Sequence, residues 1–238
     1  MEKAIIIRDP RTADIHSFDR VYIGNEFCQN LLASRTELMQ QVSYVKGYGK
    51  NISFVTPYLT DTNRLRALLD SLENNCIDAE LIVNDFGVLD ISKEYGLKIV
   101  LGRVLANHIM KDDLELSDNS SYTSNIFRKL GVRRVEISNK GPEMKINCSF
   151  PVSLYYPYFY ISTSRRCMHG FPRRFLKQGF AMRECRTQCG NWEIKNRKMD
   201  EKIRIIGNTN FICRNNLPIK ENIPSVDRLV FMPDNFFY

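Results

Sequence analysis

Short apolar runs of four or five residues alternate along the chain with stretches whose apolar positions recur every three or four residues. The first pattern suits strands covered on both faces, the second amphipathic helices. Strands are predicted at 4–7, 20–23, 52–56, 80–84, 98–102, 134–138, 158–163, 204–207 and 228–232. Between them, 62–74 carries Leu65, Leu68, Leu69 and Leu72 on one helical face, with Asp61 or Thr62 as candidate N-cap. Residues 30–48 read the same way, and 88–95 and 124–130 as shorter helices. Strands each followed by a helix pair in parallel with both faces covered, and six or more such units predict an α/β fold, a complete or partial (β/α) barrel, over a single domain 1–238. The alternative is a doubly wound open sheet. Against a nucleotide-binding sheet of that kind, the chain has neither GxGxxG nor a GxxxxGK phosphate loop. Residues 111–124 read as a polar excursion, and 139–151 as an irregular stretch ahead of the aromatic run Tyr155, Tyr156, Tyr158, Phe159 and Tyr160.

Composition narrows the class. With 238 residues, 43% hydrophobic and 26% charged, the chain can bury a sizeable core and reads as a water-soluble protein. No apolar run reaches the roughly 18–20 residues that span a bilayer. The start MEKAIIIRDP is too short in apolar residues for a signal peptide, which leads to the expectation of a cytoplasmic protein. The formal net charge is +7, and it is uneven: ten basic residues fall between positions 165 and 198, opposed by Glu184 and Glu193. Such a stretch is either a solvated basic loop or an attractor for anions: RNA, a carboxylate substrate or an acidic partner surface.

Seven cysteines in a chain expected in a reducing compartment point to metal binding, catalysis or burial rather than disulfides. Cys167, Cys185 and Cys189 share one stretch with C-x17-C-x3-C spacing, in a loop at about 164–198 that follows the predicted strand 158–163 and would be a βα loop of the barrel. Three thiolates need a fourth ligand to complete a zinc site or a cubane cluster. Cys28, just after the strand VYIG in GNEFC, is the natural candidate. The basic surroundings of Cys185 and Cys189 favour thiolates, whereas Cys76 and Cys148 read as small buried hydrophobes. Cys213 is a candidate alternate ligand. One short pair with two distant singles suits an iron–sulfur cluster better than a zinc ribbon, and zinc is the second reading. His169 is a candidate ligand or acid–base group, or a surface residue beside the loop. The three histidines form no arrangement that supports a histidine-based hydrolase.

Three segments resemble the peptidase U32 family, and its UbiV-like branch most. VYIGNEFC at 21–28 resembles the branch's first-cysteine motif. ELIVNDFGVLDISKEYGLKIVLGRVLAN at 80–107 resembles the family's VND-G-VL … LVLGR-LN block, and the Cys167/Cys185/Cys189 stretch resembles its cysteine region. The tail at 204–233 is similar to the closing strand–helix–strand of the same domain. The resemblance implies a TIM-barrel-like domain with a [4Fe–4S] cluster on Cys28, Cys167, Cys185 and Cys189. It further implies oxygen-independent hydroxylation of a ubiquinone precursor or RNA base, prephenate as oxygen source, and a second U32-family subunit as heterodimer partner. Arg103, Arg165 and Arg166 are the candidate contacts for an anionic substrate. Asn84 and Asp85 would line the same pocket or cap the following helix. The family label also implies peptidase activity, for which the sequence offers no nucleophile or metal motif. A compact chain and a segment 107–125 without the family's basic run depart from its pattern, and the alternative reading is a non-catalytic, cluster-bearing binding or scaffold subunit.

Overall fold

The computed structural model describes residues 1–59, 61–76, 78–110, 121–146, 148–164, 189–195 and 201–237. Eight parallel strands close into a barrel. In chain order they are β1 (Glu2–Ile6), β2 (Arg20–Gly24), β3 (Asn51–Val55), β4 (Glu80–Val83), β5 (Lys98–Leu101), β6 (Arg134–Ser138), β7 (Val152–Tyr156) and, completing the ring against β1, β12 (Val226–Phe231). The expected α/β barrel is therefore the fold. Helices α1 (Arg35–Gly47), α2 (Thr62–Asn75), α3 (Phe86–Ser92), and α4 (Arg103–Met110) with α5 (Ser121–Lys129) fill the connections from β2 to β6. No helix among the described residues is long and apolar enough to cross a membrane.

Alternation along the strands separates two apolar cores. Ile5, Val21, Phe54, Leu81, Leu101 and Ile137 point outward to meet Leu38, Val42, Leu65 and Leu69 of the helices. Ala4, Ile6, Tyr22, Val55, Ile82, Val100, Tyr155 and Val230 point into the barrel. This two-sided burial is why the strands read as continuous apolar runs. The helix starts have local causes. Ser34 and Glu37 form a reciprocal capping box, so α1 begins at Arg35 rather than at 30. The Asp61 carboxylate accepts the Arg64 N–H at the start of α2.

The remaining four strands correct the sequence-based expectation. β8 (Tyr158–Thr163), β9 (Asn191–Lys195), β10 (Lys202–Ile206) and β11 (Thr209–Cys213) form a separate antiparallel sheet in the order β8-β11-β10-β9. The predicted strands at 158–163 and 204–207 belong to this sheet, not to the barrel. The seventh barrel strand is β7, just after the stretch 139–151 read as irregular and running into the aromatic residues Tyr155 and Tyr156. The tail expected as strand–helix–strand is a β10–β11 hairpin, a 3-10 turn at Lys220–Asn222, and β12. No helix stands between β7 and β12 among the described residues; the antiparallel sheet takes its place. Its inner face carries Tyr158, Tyr160, Ile206 and Phe211, which join the barrel's interior core. Phe27, beyond the end of β2, packs against Tyr160 at 5.5 Å and Phe211 at 5.2 Å between ring centroids. The sheet thus caps the barrel at the C-terminal ends of its strands.

The opposite end is closed by charge. Arg228 Nε donates to Glu2 at 2.6 Å, and its two terminal nitrogens donate to Glu80 at 2.7 and 3.0 Å. Arg20 bridges the same two carboxylates, at 2.8 Å to Glu2 and 3.4 Å to Glu80. Two arginines and two glutamates from β1, β2, β4 and β12 form a neutral ring across the barrel floor, and Arg228 is 2% exposed.

Candidate functional site

The C-terminal end of a β/α barrel is where loops converge, and the first loop over this mouth starts with a close backbone approach. Gly24 has φ +111°, and a Cβ there would lie 2.3 Å from Val55 O, so only glycine lets β2 turn off beside β3. The next residue, Asn25, is buried. Its side-chain carbonyl accepts the N–H groups of Phe27 at 3.0 Å and Cys28 at 2.8 Å, which fixes the short turn that presents Cys28.

Across a small cleft from this turn stands the β10–β11 hairpin, with Cys189 just before β9. Asn25, Cys28, Cys189, Gly207, Asn208 and Thr209, with the apolar Phe27, Leu31 and Ile206, line one small pocket partly open to solvent. Two of the four expected thiols, distant in sequence, therefore face the same space. A Cβ on Gly207 would sit 3.6 Å from Cys189 Sγ, so the hairpin turn passes close beside that thiol. Cys167 and Cys185 lie outside the described residues, as do Arg165, Arg166 and His169. Among the described residues, no three His, Cys, Asp or Glu side chains converge as a metal site. The donor chemistry at the pocket, two thiols with amide and hydroxyl neighbours, suits a thiolate-held iron–sulfur cluster and equally a zinc ion.

The strands that flank the cysteine stretch, β8 and β9, both belong to the antiparallel sheet, so it does not follow a barrel strand as expected, and Cys189 stands at the barrel mouth. Cys213 is separated from the pocket: it lies at the far end of β11 from Thr209, roughly 13 Å along a strand. There it is paired with Tyr158, whose hydroxyl bonds Asp234 and Arg204. Burial pushes its thiol pKa up, and Asp234 adds to the shift. Burial likewise raises the thiols of Cys76 and Cys148, in keeping with their reading as small hydrophobes.

Beneath the cap, Arg103 is fully buried at the start of α4. Its Nε donates to both Glu26 oxygens at 2.8 and 2.9 Å, and Nη1 donates to Ser138 Oγ at 3.2 Å and Tyr158 O at 2.9 Å. The guanidinium also stacks over the Tyr155 ring at 4.3 Å. The anion it meets is Glu26 of the chain itself, so it ties the β2 turn, β6 and the cap sheet together. Burial raises the Glu26 carboxyl pKa, and Arg103 opposes the shift.

Asn84 and Asp85 act on helix starts. Asn84 is buried; its amide donates to Thr56 O at 3.0 Å and its carbonyl accepts the Val104 N–H at 3.1 Å, so it caps α4 from the neighbouring strand. The Asp85 carboxylate accepts the N–H groups of Gly87 at 2.7 Å and Val88 at 3.3 Å, as N-cap of α3.

Sequence reasoning missed Asn25, Glu26, Glu136, Tyr155 and Asn208. The signals were present. Glu26 sits between the glycine that ends β2 and Cys28, and Glu136 lies in RVEIS, where the outward Val135 and Ile137 alternate with polar residues aimed into the barrel. No family model, curated protein or solved structure matches the chain.

Proposed function

We propose that this chain is an iron–sulfur protein that binds a [4Fe–4S] cluster at the capped end of its barrel through Cys28, Cys167, Cys185 and Cys189. The observation that carries the proposal is the shared pocket of Cys28 and Cys189, two residues whose pairing the cysteine spacing and the U32-family resemblance implied before any fold was known. The closed α/β barrel is also the fold that resemblance implies. Bound there, a cluster supplies electron transfer or a Lewis-acidic iron.

The chain's own residues do the rest. Asn25 fixes the Cys28 backbone, Phe27 with Tyr160 and Phe211 keeps water from the barrel side, and Arg103 with Glu26 anchors the loop that carries Cys28. By the same resemblance we assign the protein to oxygen-independent hydroxylation of a quinone precursor or related substrate, with prephenate as oxygen donor and a second U32-family subunit as partner. The basic stretch at 165–198 suits an anionic small molecule or RNA.

The test is iron and sulfide content with an anaerobic absorption spectrum, on wild type and Cys28→Ala. About four irons and four sulfides per chain are expected, falling to background in the variant. Stoichiometric zinc, or no metal, would sink the redox reading.

A further inference from the structure

The two-residue turn between β10 and β11 touches three separate stretches of chain. The Asn208 side-chain amide donates one hydrogen to Phe27 O at 2.8 Å and the other to Ser164 O at 2.7 Å. The Asn208 backbone carbonyl accepts the Ser164 N–H at 3.0 Å, and the Gly207 N–H donates to Gly190 O at 3.0 Å. Each of these partners adjoins a thiol-bearing segment. Phe27 is bonded to Cys28, Gly190 is bonded to Cys189, and Ser164 is the last described residue before the stretch that carries Cys167 and Cys185. The Ser164 and Gly190 contacts extend the β8–β11 and β9–β10 ladders, whereas the Asn208 bond to Phe27 O carries the turn across to the loop that follows β2. Gly207, at φ +59°, gives the turn its tightness.

We infer that Asn208 is the positioning residue that gathers the thiol-bearing segments, holding the Cys28 turn and the root of the Cys167 stretch to one hairpin. Its role at a metal centre rests on the proposal that the pocket holds a cluster. The physical reason is preorganisation. A metal group bound by loops must order them, and a clamp that orders them beforehand leaves more of the ligation energy as affinity. Residues that orient metal ligands without touching metal commonly change affinity by about 10- to 100-fold. A hairpin residue with only a local role would change sheet stability and leave the metal centre alone.

The experiment compares wild type, Asn208→Ala, the isosteric Asn208→Asp and, as control on the same hairpin, Asn210→Ala, whose side chain bonds Ser162 instead. Each is purified anaerobically, and its cluster loss to an iron chelator is followed by absorbance, with far-ultraviolet circular dichroism as the measure of fold. The expectation is about tenfold faster loss in both Asn208 variants, with an unchanged barrel spectrum and a control like wild type. Loss at the wild-type rate in Asn208→Ala overturns the inference. So does loss confined to Asn208→Asp, which would assign the effect to added charge, and so does unfolding of both variants, which would make Asn208 a residue of the general fold. If wild type itself holds no iron, the cluster proposal fails separately. The clamp is then judged on the metal-free chain by the rate at which a short bis-maleimide joins Cys28 to Cys189, identified by mass spectrometry. An about tenfold slower rate in Asn208→Ala sustains the clamp, and an equal rate overturns it.

Discussion

Glu136 is a carboxyl inside the barrel with no cation bonded to it among the described residues. It is fully buried on β6; Tyr155 donates to Oε2 at 2.8 Å, while Oε1 has no hydrogen-bond partner among the described residues. Burial pushes its carboxyl up to about 8, Glu26 adds to the shift, and the Tyr155 hydrogen bond, the nearby Tyr22 hydroxyl and the charge of Arg228 oppose it. The folded state therefore holds a proton that the unfolded chain, with a carboxyl near 4.5, has released at neutral pH. The stability this group contributes is full below about 4.5, falls as pH rises towards about 8, and is lost above it. Glu136→Gln removes the titration. Its urea midpoint should fall less between pH 5 and 8 than that of wild type, which loses on the order of a few kcal/mol from this group there. Parallel pH profiles for the two proteins would show that the carboxyl is not protonated in the fold.

Among elements, β2 to β6 lie where the apolar runs put them, because burial on both faces writes itself into four or five consecutive residues. The cap sheet was less legible. Its strands β9 and β10, NWEIK and KIRII, alternate apolar with polar residues, the period-two pattern of an antiparallel sheet, with Trp192 and Ile194 on its exposed outer face. The Gly207–Asn208 pair between β10 and β11 is a hairpin turn signal. Reading 204–207 as one more barrel strand overlooked both. β7 was masked by the aromatic run that continues past it into β8. The cysteine spacing pointed to a shared site, but which sheet supplies the loop depends on pairings between residues far apart in sequence. One junction shows how tightly the elements depend on each other. A Cβ on Gly102, between β5 and α4, would fall 2.2 Å from Asn84 Oδ1, the atom that caps α4. Gly102→Ala should therefore displace Asn84, fray the start of α4 and destabilise the protein by about 1–3 kcal/mol, read from its urea midpoint. An unchanged midpoint would mean that Asn84 can turn aside without cost.

For the molecule as a whole, the barrel has unlike ends. The floor is sealed by the Glu2, Arg20, Glu80 and Arg228 ring, and the mouth is covered by an antiparallel sheet beside the cysteine pocket. Arg228 links β12 to β1 and β4, so the ring also helps hold the closing seam. Arg228→Ala would leave Glu80 and Glu2 facing each other across a floor without its most buried cation. A loss of about 3–5 kcal/mol in chemical denaturation is expected. A loss below 1 kcal/mol would show that Arg20 alone neutralises the floor.

The β10–β11 turn has a consequence for the order in which the molecule is made. Cys28, on the turn after the second strand, leaves the ribosome well before the wall it faces, which is built from residues 189 and 206–209. Until those residues have been synthesised and the hairpin has docked on Phe27, the first thiol has no pocket around it. Anything delivered to this site must arrive after translation of the cap, into a barrel that is already nearly closed.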